Sequence, residues 1–339
     1  MSDHEDGVVL DRRLIPVPTS ISREAADALR AMTDDEGVPI NARHRLPPAE
    51  DHAAWTALKE MAAASYAQTI ADAAGDLSSE AVTVMAGSTT IHVATPQAPN
   101  RSDGALIDLH GGALVLGGGT ACLIGARRQA DLHRVRCYGV DYRTPPEHPY
   151  PAALDDCIAA YRYVLERHAP ASIVITGRSA GGNLAAAMLL RGREEGLPIP
   201  AGLVLLSPQV DLTESGDSFA VNRTVDVVLP GSLMTSNRLY AGGANLADPL
   251  LSPLFGDLGG FPPTFLQAGT RDLFLSNTVR MHRALRRVGV PAELHVFEAM
   301  PHGGFTGWTP EELELQRELA AFVAAQLAGY RGAGEQRAR

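Results

Sequence analysis

The sequence predicts an α/β fold: a mostly parallel, eight-stranded sheet with helices on both faces. Two observations carry this expectation. From Ala81 onward, short β-type runs alternate with helical patterns, the order that builds parallel sheets. In addition, the motif Gly177-Arg178-Ser179-Ala180-Gly181 falls between an apolar β-type run at 173–176 and a strong helix former at 183–190, a strand–turn–helix setting. At 339 residues the chain is long enough for one large domain with a modest additional piece.

Taken in order, residues 23–32 and 53–74 are expected to be helical, with a break at Pro47-Pro48. Strands are expected at 82–85, 91–94, 105–109, 136–140, 172–176, 203–206, 264–267 and 293–297. The first two are joined through Gly87-Ser88, which suits an antiparallel hairpin. Helices are expected at 122–135, 151–168, 180–195, 276–288 and 310–328. Residues 211–250 interrupt the alternation and read as an insertion. The end of the chain from Gly329 is rich in Gly, Arg and Ala and reads as frayed. The expected division is an N-terminal helical piece over 1–75, a core over 76–330 and a flexible tail over 331–339.

Composition narrows the functional classes. Hydrophobic content of 45% and charged content of 20% fit a globular, water-soluble chain. A formal net charge of −10 argues against nucleic acid or anionic membrane as a partner. No stretch is long and apolar enough to cross a bilayer, and the N-terminus lacks the features of a secretory signal. Cys122, Cys137 and Cys157 are sparse and lack C-x-x-C spacing, so they read as reduced, packed thiols of a cytoplasmic protein. Lys59 is the only lysine, which leaves little room for Schiff-base chemistry or a phosphate-loop lysine.

The motif at 177–181 points to nucleophilic catalysis. A serine at a sharp strand-to-helix turn is exposed above the sheet, but it needs a base and an orienting carboxylate. In a doubly wound sheet those partners gather at the carboxyl ends of later strands. Strand 264–267 runs into Asp272, and strand 293–297 into Pro301-His302-Gly303-Gly304. Ser179, Asp272 and His302 are therefore the candidate catalytic residues, with Glu298 as a weaker rival acid. The other histidines show no metal-ligand spacing such as H-E-x-x-H, so no metal is expected. The strand at 105–109 ends in His110-Gly111-Gly112-Ala113, where small residues let amides approach a substrate oxygen. Gly111, Gly112 and Ala180 are the candidate oxyanion donors. Gly117-Gly118-Gly119 does not complete a dinucleotide-binding spacing and reads as a loop.

These residues resemble the hormone-sensitive-lipase-like (bacterial family IV) esterases of the α/β-hydrolase fold. The resemblance spans about 81–327 and rests on HGGA at 110–113, DYRTPPEHPYPAALDD at 141–156, GRSAGGN at 177–183 and DPLLSPLFGDL at 248–258. It implies a helical cap formed by 1–75 and part of 211–250. It also implies cofactor-free hydrolysis of small carboxylic esters with short or medium acyl groups, and often a homodimer. The chain departs from the family at three places: Ala113 replaces a third glycine, Leu114 stands where an aromatic residue is common, and Arg178 precedes the nucleophile. Leu114 is expected to wall the substrate pocket. Arg178 is expected either to form a structural ion pair or to recognise an acidic group on the substrate. A lactonase, an amide deacylase or an acyltransferase would use the same residues. The plant gibberellin receptor resembles the family without catalysing, but it has lost the histidine that this chain keeps.

Overall fold

The computed structural model describes residues 14–43, 45–73, 77–97, 104–229 and 231–335. Eight strands lie at the expected places: β1 (Glu80–Ala86), β2 (Thr89–Thr95), β3 (Ala105–Leu109), β4 (Arg136–Asp141), β5 (Ile173–Arg178), β6 (Gly202–Leu206), β7 (Thr264–Gly269) and β8 (Ala292–Phe297). They form one sheet in the order β1-β2-β4-β3-β5-β6-β7-β8. β1 and β2 make the expected antiparallel hairpin, and β2 also runs antiparallel to β4. Every other neighbouring pair is parallel.

The helices are α1 (Arg23–Ala31), α2 (His52–Ala73), α3 (Thr120–His133), α4 (Ala152–Leu165), α5 (Ala180–Glu194), α6 (Ser218–Val221), α7 (Met234–Ala241), α8 (Leu275–Arg287) and α9 (Pro310–Glu335). α6 and α7 are short helices inside the stretch read as an insertion. α9 continues beyond its expected end near residue 328, into the stretch read as a tail. Residues 1–13 of the expected cap and 336–339 of the expected tail lie outside the described residues.

Alternating strand residues face opposite sides of the sheet, and both sides are covered. Ile107, Ile175, Leu203, Leu205 and Leu266 pack against α4, α5 and α8 through Leu154, Leu184, Met281 and Leu285. Leu106, Val174, Val204 and Phe265 pack on the other side, against Ala126 and Ala130 of α3 and Leu319, Phe322 and Val323 of α9. This explains why the central strands read as unbroken apolar runs: neither face meets water. α5 is buried along almost its whole length, and its run of Gly and Ala lets it lie close to the sheet.

The proline-rich block at 141–156 has a structural role. Arg143 grips Asp156 through Nε and Nη2 at 2.9 Å each, and the Arg143 backbone N–H donates to the same carboxylate at 2.8 Å. Asp156 is 1% exposed, so this planar, two-pronged pairing satisfies a charge that water cannot reach. It ties the end of β4 to α4.

The N-terminal helices pack on loops at the carboxyl end of the sheet. Ser22 caps α1 by accepting from the Ala25 N–H, and its own N–H and hydroxyl donate to Glu311 at the start of α9. The apolar side of α1 lies on Ala299, Met300 and Phe305, in the loop after β8. Trp55 of α2 is buried against Val115 and Leu239, and its indole N–H donates to Pro48 O at 2.9 Å.

Asp108 projects from the middle of β3 toward the side covered by α3 and α9. Burial pushes its carboxyl up to about 6, opposed by the positive charge of Arg178. The folded protein therefore holds a proton that the unfolded chain releases near pH ~4. Stability should fall as pH rises from about 4 to about 6, and the deficit should persist above that window. Asp108→Asn should melt like the wild type near pH ~4 and be more stable above pH ~6, by up to about 3 kcal/mol. Thermal melts of both proteins across this range provide the check; a variant that is weaker at every pH contradicts the argument.

Candidate active site

Ser179 occupies the turn between β5 and α5 with φ 55° and ψ −118°. This is a left-handed conformation that a residue with a side chain rarely adopts, and it costs on the order of 1–3 kcal/mol. Neighbouring contacts impose it. The Ser179 N–H donates to Leu206 O at 2.9 Å, and its carbonyl accepts from the Gln209 N–H at 3.1 Å. A side chain at Gly177 would meet Gly181 O at 2.2 Å, and one at Gly181 would meet Leu109 O at 1.8 Å. The glycines of the motif are thus demanded by close backbone approach.

The ends of β7 and β8 bring two other side chains to this serine. The Ser179 Oγ–H donates to His302 Nε2 at 3.0 Å, and the His302 Nδ1–H donates to Asp272 Oδ1, also at 3.0 Å. Asp272 is fully buried and also accepts from the Phe274 N–H at 2.8 Å. The Phe274 ring stands edge-on to the imidazole, 4.8 Å between centroids. Burial alone would lower the His302 pKa; the charge and hydrogen bond of Asp272, aided by Asp226, outweigh it, and the net shift is upward. The rival acid Glu298 is exposed.

The loop after β3 lies beside the serine. A Cβ at Gly111 would sit 3.4 Å from Ser179 Cβ. Among the described residues, the amides of Gly111 and Gly112 donate to no acceptor. Ala180 opens α5, where the first amides have no intrahelical partner. Behind the loop the His110 ring stacks on Tyr142 at 4.0 Å, and the Tyr142 hydroxyl donates to His110 O at 2.8 Å. His110, Cys122 and Asp141 present ligand atoms within 4.8 Å of one another. Asp141 Oδ1 already accepts from the Gly119 N–H, and this cluster lies outside the serine relay. Burial pushes the thiols of Cys122, Cys137 and Cys157 well up, so none is available as a thiolate nucleophile.

Two expectations fail here. Leu114 does not wall a pocket: it is fully buried in the core shared with α4 and α5. Arg178 makes no ion pair within 4.0 Å among the described residues. Its side chain leaves β5 on the α3–α9 side and donates from Nη1 to Gly303 O at 3.0 Å. Strand alternation sends it away from the serine hydroxyl.

Residues 106–306 match the family described as the α/β-hydrolase fold. The chain belongs to that family. Within it, the hydrolase falls with the hormone-sensitive-lipase-like esterases. It is 34% identical over 207 residues to an acetyl-hydrolase of Streptomyces hygroscopicus, covering 60% of this chain and 69% of that one. It is 32% identical over 225 residues to an esterase of Acinetobacter venetianus, covering 65% and 74%. The crystal structure of one esterase superposes with a TM-score of 0.85 at 35% identity, over 94% of this chain and 98% of the other. An esterase from the bacterial hormone-sensitive lipase family superposes at 0.76 with 29% identity, over 90% and 99%.

The hydrolase has two further acids around the site that its sequence did not bring forward. Asp226, in the inserted stretch, accepts from the N–H groups of Val228, Leu229 and Leu273, which pins the Asp272 turn to the insertion. Burial holds it above the usual carboxylate range, against the pull of His302. Glu312 accepts from the backbone N–H of Phe305, Thr306, Gly307 and Thr309. With Thr309 it forms a capping box at the start of α9. One buried carboxylate thereby sets the loop that follows His302. Its signal was readable: Thr309-Pro310-Glu311-Glu312 has the T-x-x-E spacing. Asp226 carries no comparable mark.

Glu312→Ala should leave four loop amides without their acceptor. Hydrogen bonds to a charged group contribute roughly 1.5–3 kcal/mol each. A stability loss of more than about 3 kcal/mol is expected, with a fall in kcat as the histidine loop loosens, and Glu312→Gln should retain part of both. Denaturant melts and kcat measured on the three proteins test this.

Proposed function

We propose that Ser179, His302 and Asp272 act as one nucleophilic unit, making this chain a carboxylic ester hydrolase that works through an acyl-enzyme. The observation that carries the proposal is the continuous relay from the Ser179 hydroxyl through His302 to Asp272, with both hydrogen bonds at 3.0 Å. His302 takes the serine proton as Ser179 attacks the ester carbonyl. The unengaged amides of Gly111, Gly112 and Ala180 are positioned to receive the oxyanion. His302 then protonates the leaving alcohol, and water repeats the sequence on the acyl-enzyme. Asp272 fixes the imidazole tautomer and stabilises its cation.

The N-terminal helices and the 211–250 stretch serve as the cap in this reading. Their support is contact: Leu46, Ala113, Phe219 and Leu229 pack together with Leu273 and Phe274 beside the catalytic acid. Short- and medium-chain esters are the expected substrates. A cytoplasmic location agrees with three buried free cysteines. A homodimer remains the expected assembly, and sedimentation would measure it.

Ser179→Ala should abolish turnover of a p-nitrophenyl ester series, and acyl lengths from acetyl upward should reveal the depth of the pocket. A variant that keeps wild-type rates sinks the proposal. Because the His302 pKa is raised, its neutral, base-competent form dominates only above the raised value. The acid limb of kcat/KM should therefore lie above the ordinary histidine value of about 6.5. Asp272→Asn should lower kcat by roughly four orders of magnitude and move that limb toward acid. A pH profile without an acid limb would contradict a histidine base.

A further inference from the structure

A cavity of about 540 Å³ lies between α3 and α9 under the loop that follows His302. Its walls include Arg178, Gly303 and Ser207 but none of Ser179, Asp272 or His302. Its volume is within the range of small-molecule sites, roughly 300–1,000 Å³.

The wall chemistry is polarised. At the sheet end, the Arg178 guanidinium has one hydrogen-bond acceptor among the described residues, Gly303 O, and no carboxylate within 4.0 Å. The Ser207 side chain beside it is 1% exposed, and its hydroxyl has no hydrogen-bond partner. A second guanidinium, Arg128, lines the same cavity. The acids on the wall are committed elsewhere: Glu312 to the loop amides, and Asp131 to the N–H and hydroxyl of Ser78. Asp108 acts on Arg178 from a distance, as a carboxyl that burial makes harder to ionise. Leu132, Leu315, Leu319 and Trp308 supply an apolar strip at the helix end, flanked by Gln129 and Gln316.

We propose that this cavity is a binding site, separate from the nucleophile, for a small amphipathic carboxylate. The carboxylate pairs with Arg178 and accepts from the Ser207 hydroxyl, and the hydrocarbon tail lies along α9. An arginine offers a planar fork of donors that matches a carboxylate, and among the described residues the Arg178 fork is engaged only by Gly303 O. A neutral ligand cannot make that charge-matched pairing. The proposal accounts for Arg178, which neither an ion pair nor contact with the ester explains, and it does not depend on the hydrolase reaction.

The test is calorimetric titration of the protein with sodium octanoate and, for comparison, with 1-octanol. The expected result is one saturable site for octanoate and much weaker binding of octanol. Arg178→Met should weaken octanoate at least about tenfold, the equivalent of losing a charge-assisted hydrogen bond. Leu315→Trp, placed on α9 away from the serine turn, should fill the cavity and remove binding. Trp308 should report occupancy through its fluorescence, while Trp55, buried under α2, should not respond. Absence of saturable binding overturns the proposal, as does equal affinity for octanol. Octanoate affinity unchanged in Leu315→Trp would place the ligand elsewhere and also overturn it. Should Arg178→Met fail to fold, the octanol comparison and Leu315→Trp still decide the matter.

Discussion

The site rests on a backbone conformation that its central residue would not choose. Ser179 is held at positive φ because β5 must turn into α5 within one residue, with Gly177 and Gly181 packed against neighbouring carbonyls. The strain is local, on the order of 1–3 kcal/mol, and the buried central strands and α5 hold it in place. The same turn gives the serine hydroxyl its direction and leaves the Ala180 amide, at the start of α5, without a backbone acceptor among the described residues. The direction of the serine hydroxyl and the free amide beside it thus come from one constraint.

Buried carboxylates set the rest of the site, each with a different task. Asp272 is fully buried and bonds the imidazole. Asp226 binds the Asp272 turn to the insertion, and Glu312 binds the histidine loop to α9. An uncompensated carboxylate in such surroundings would cost several kcal/mol; each of these instead accepts backbone N–H groups that would otherwise lack partners. Loops that could wander are thereby anchored to the sheet, and the 3.0 Å spacings of the relay follow from that anchoring.

The sheet and the relay were legible in the sequence because both follow from chain order. Apolar strands alternating with helices imply a parallel sheet, and parallel strands place their carboxyl ends together. Ser179, Asp272 and His302 could therefore be read as neighbours from the strands they follow. Side-chain direction at irregular backbone was not legible. Arg178 stands next to the serine in sequence but leaves the strand on the other side of the sheet. Leu114 follows a glycine loop and reads as a pocket wall, yet a left-handed backbone at 113 and 114 turns it into the core. Asp226 sits in a stretch with no periodicity. α9 runs beyond its expected end at 328, into a Gly/Arg/Ala-rich stretch that reads as frayed, and its apolar stripe at Leu319, Phe322, Val323 and Leu327 docks the preceding turns on the sheet.

The departures at 113 and 114 can be weighed in energy. Ala113 and Leu114 have φ of 53° and 64°, and a left-handed residue with a side chain costs roughly 1–2 kcal/mol. Glycine at 113 would avoid that strain but would lose more chain entropy on folding, about 0.4–1 kcal/mol. The two choices lie close together, and contact of Ala113 with the Leu273–Phe274 layer narrows the gap further. At 114 the balance is different. Full burial of a leucine contributes about 1.5–3 kcal/mol, enough to offset its own left-handed strain. An aromatic ring at 114 would have to enter the same closed core between the sheet and α5. The replaced glycine and the missing aromatic residue are therefore one adjustment: the loop is stabilised from below by Leu114, and Ala113 stays small beneath the insertion, so the amides of Gly111 and Gly112 remain beside the serine.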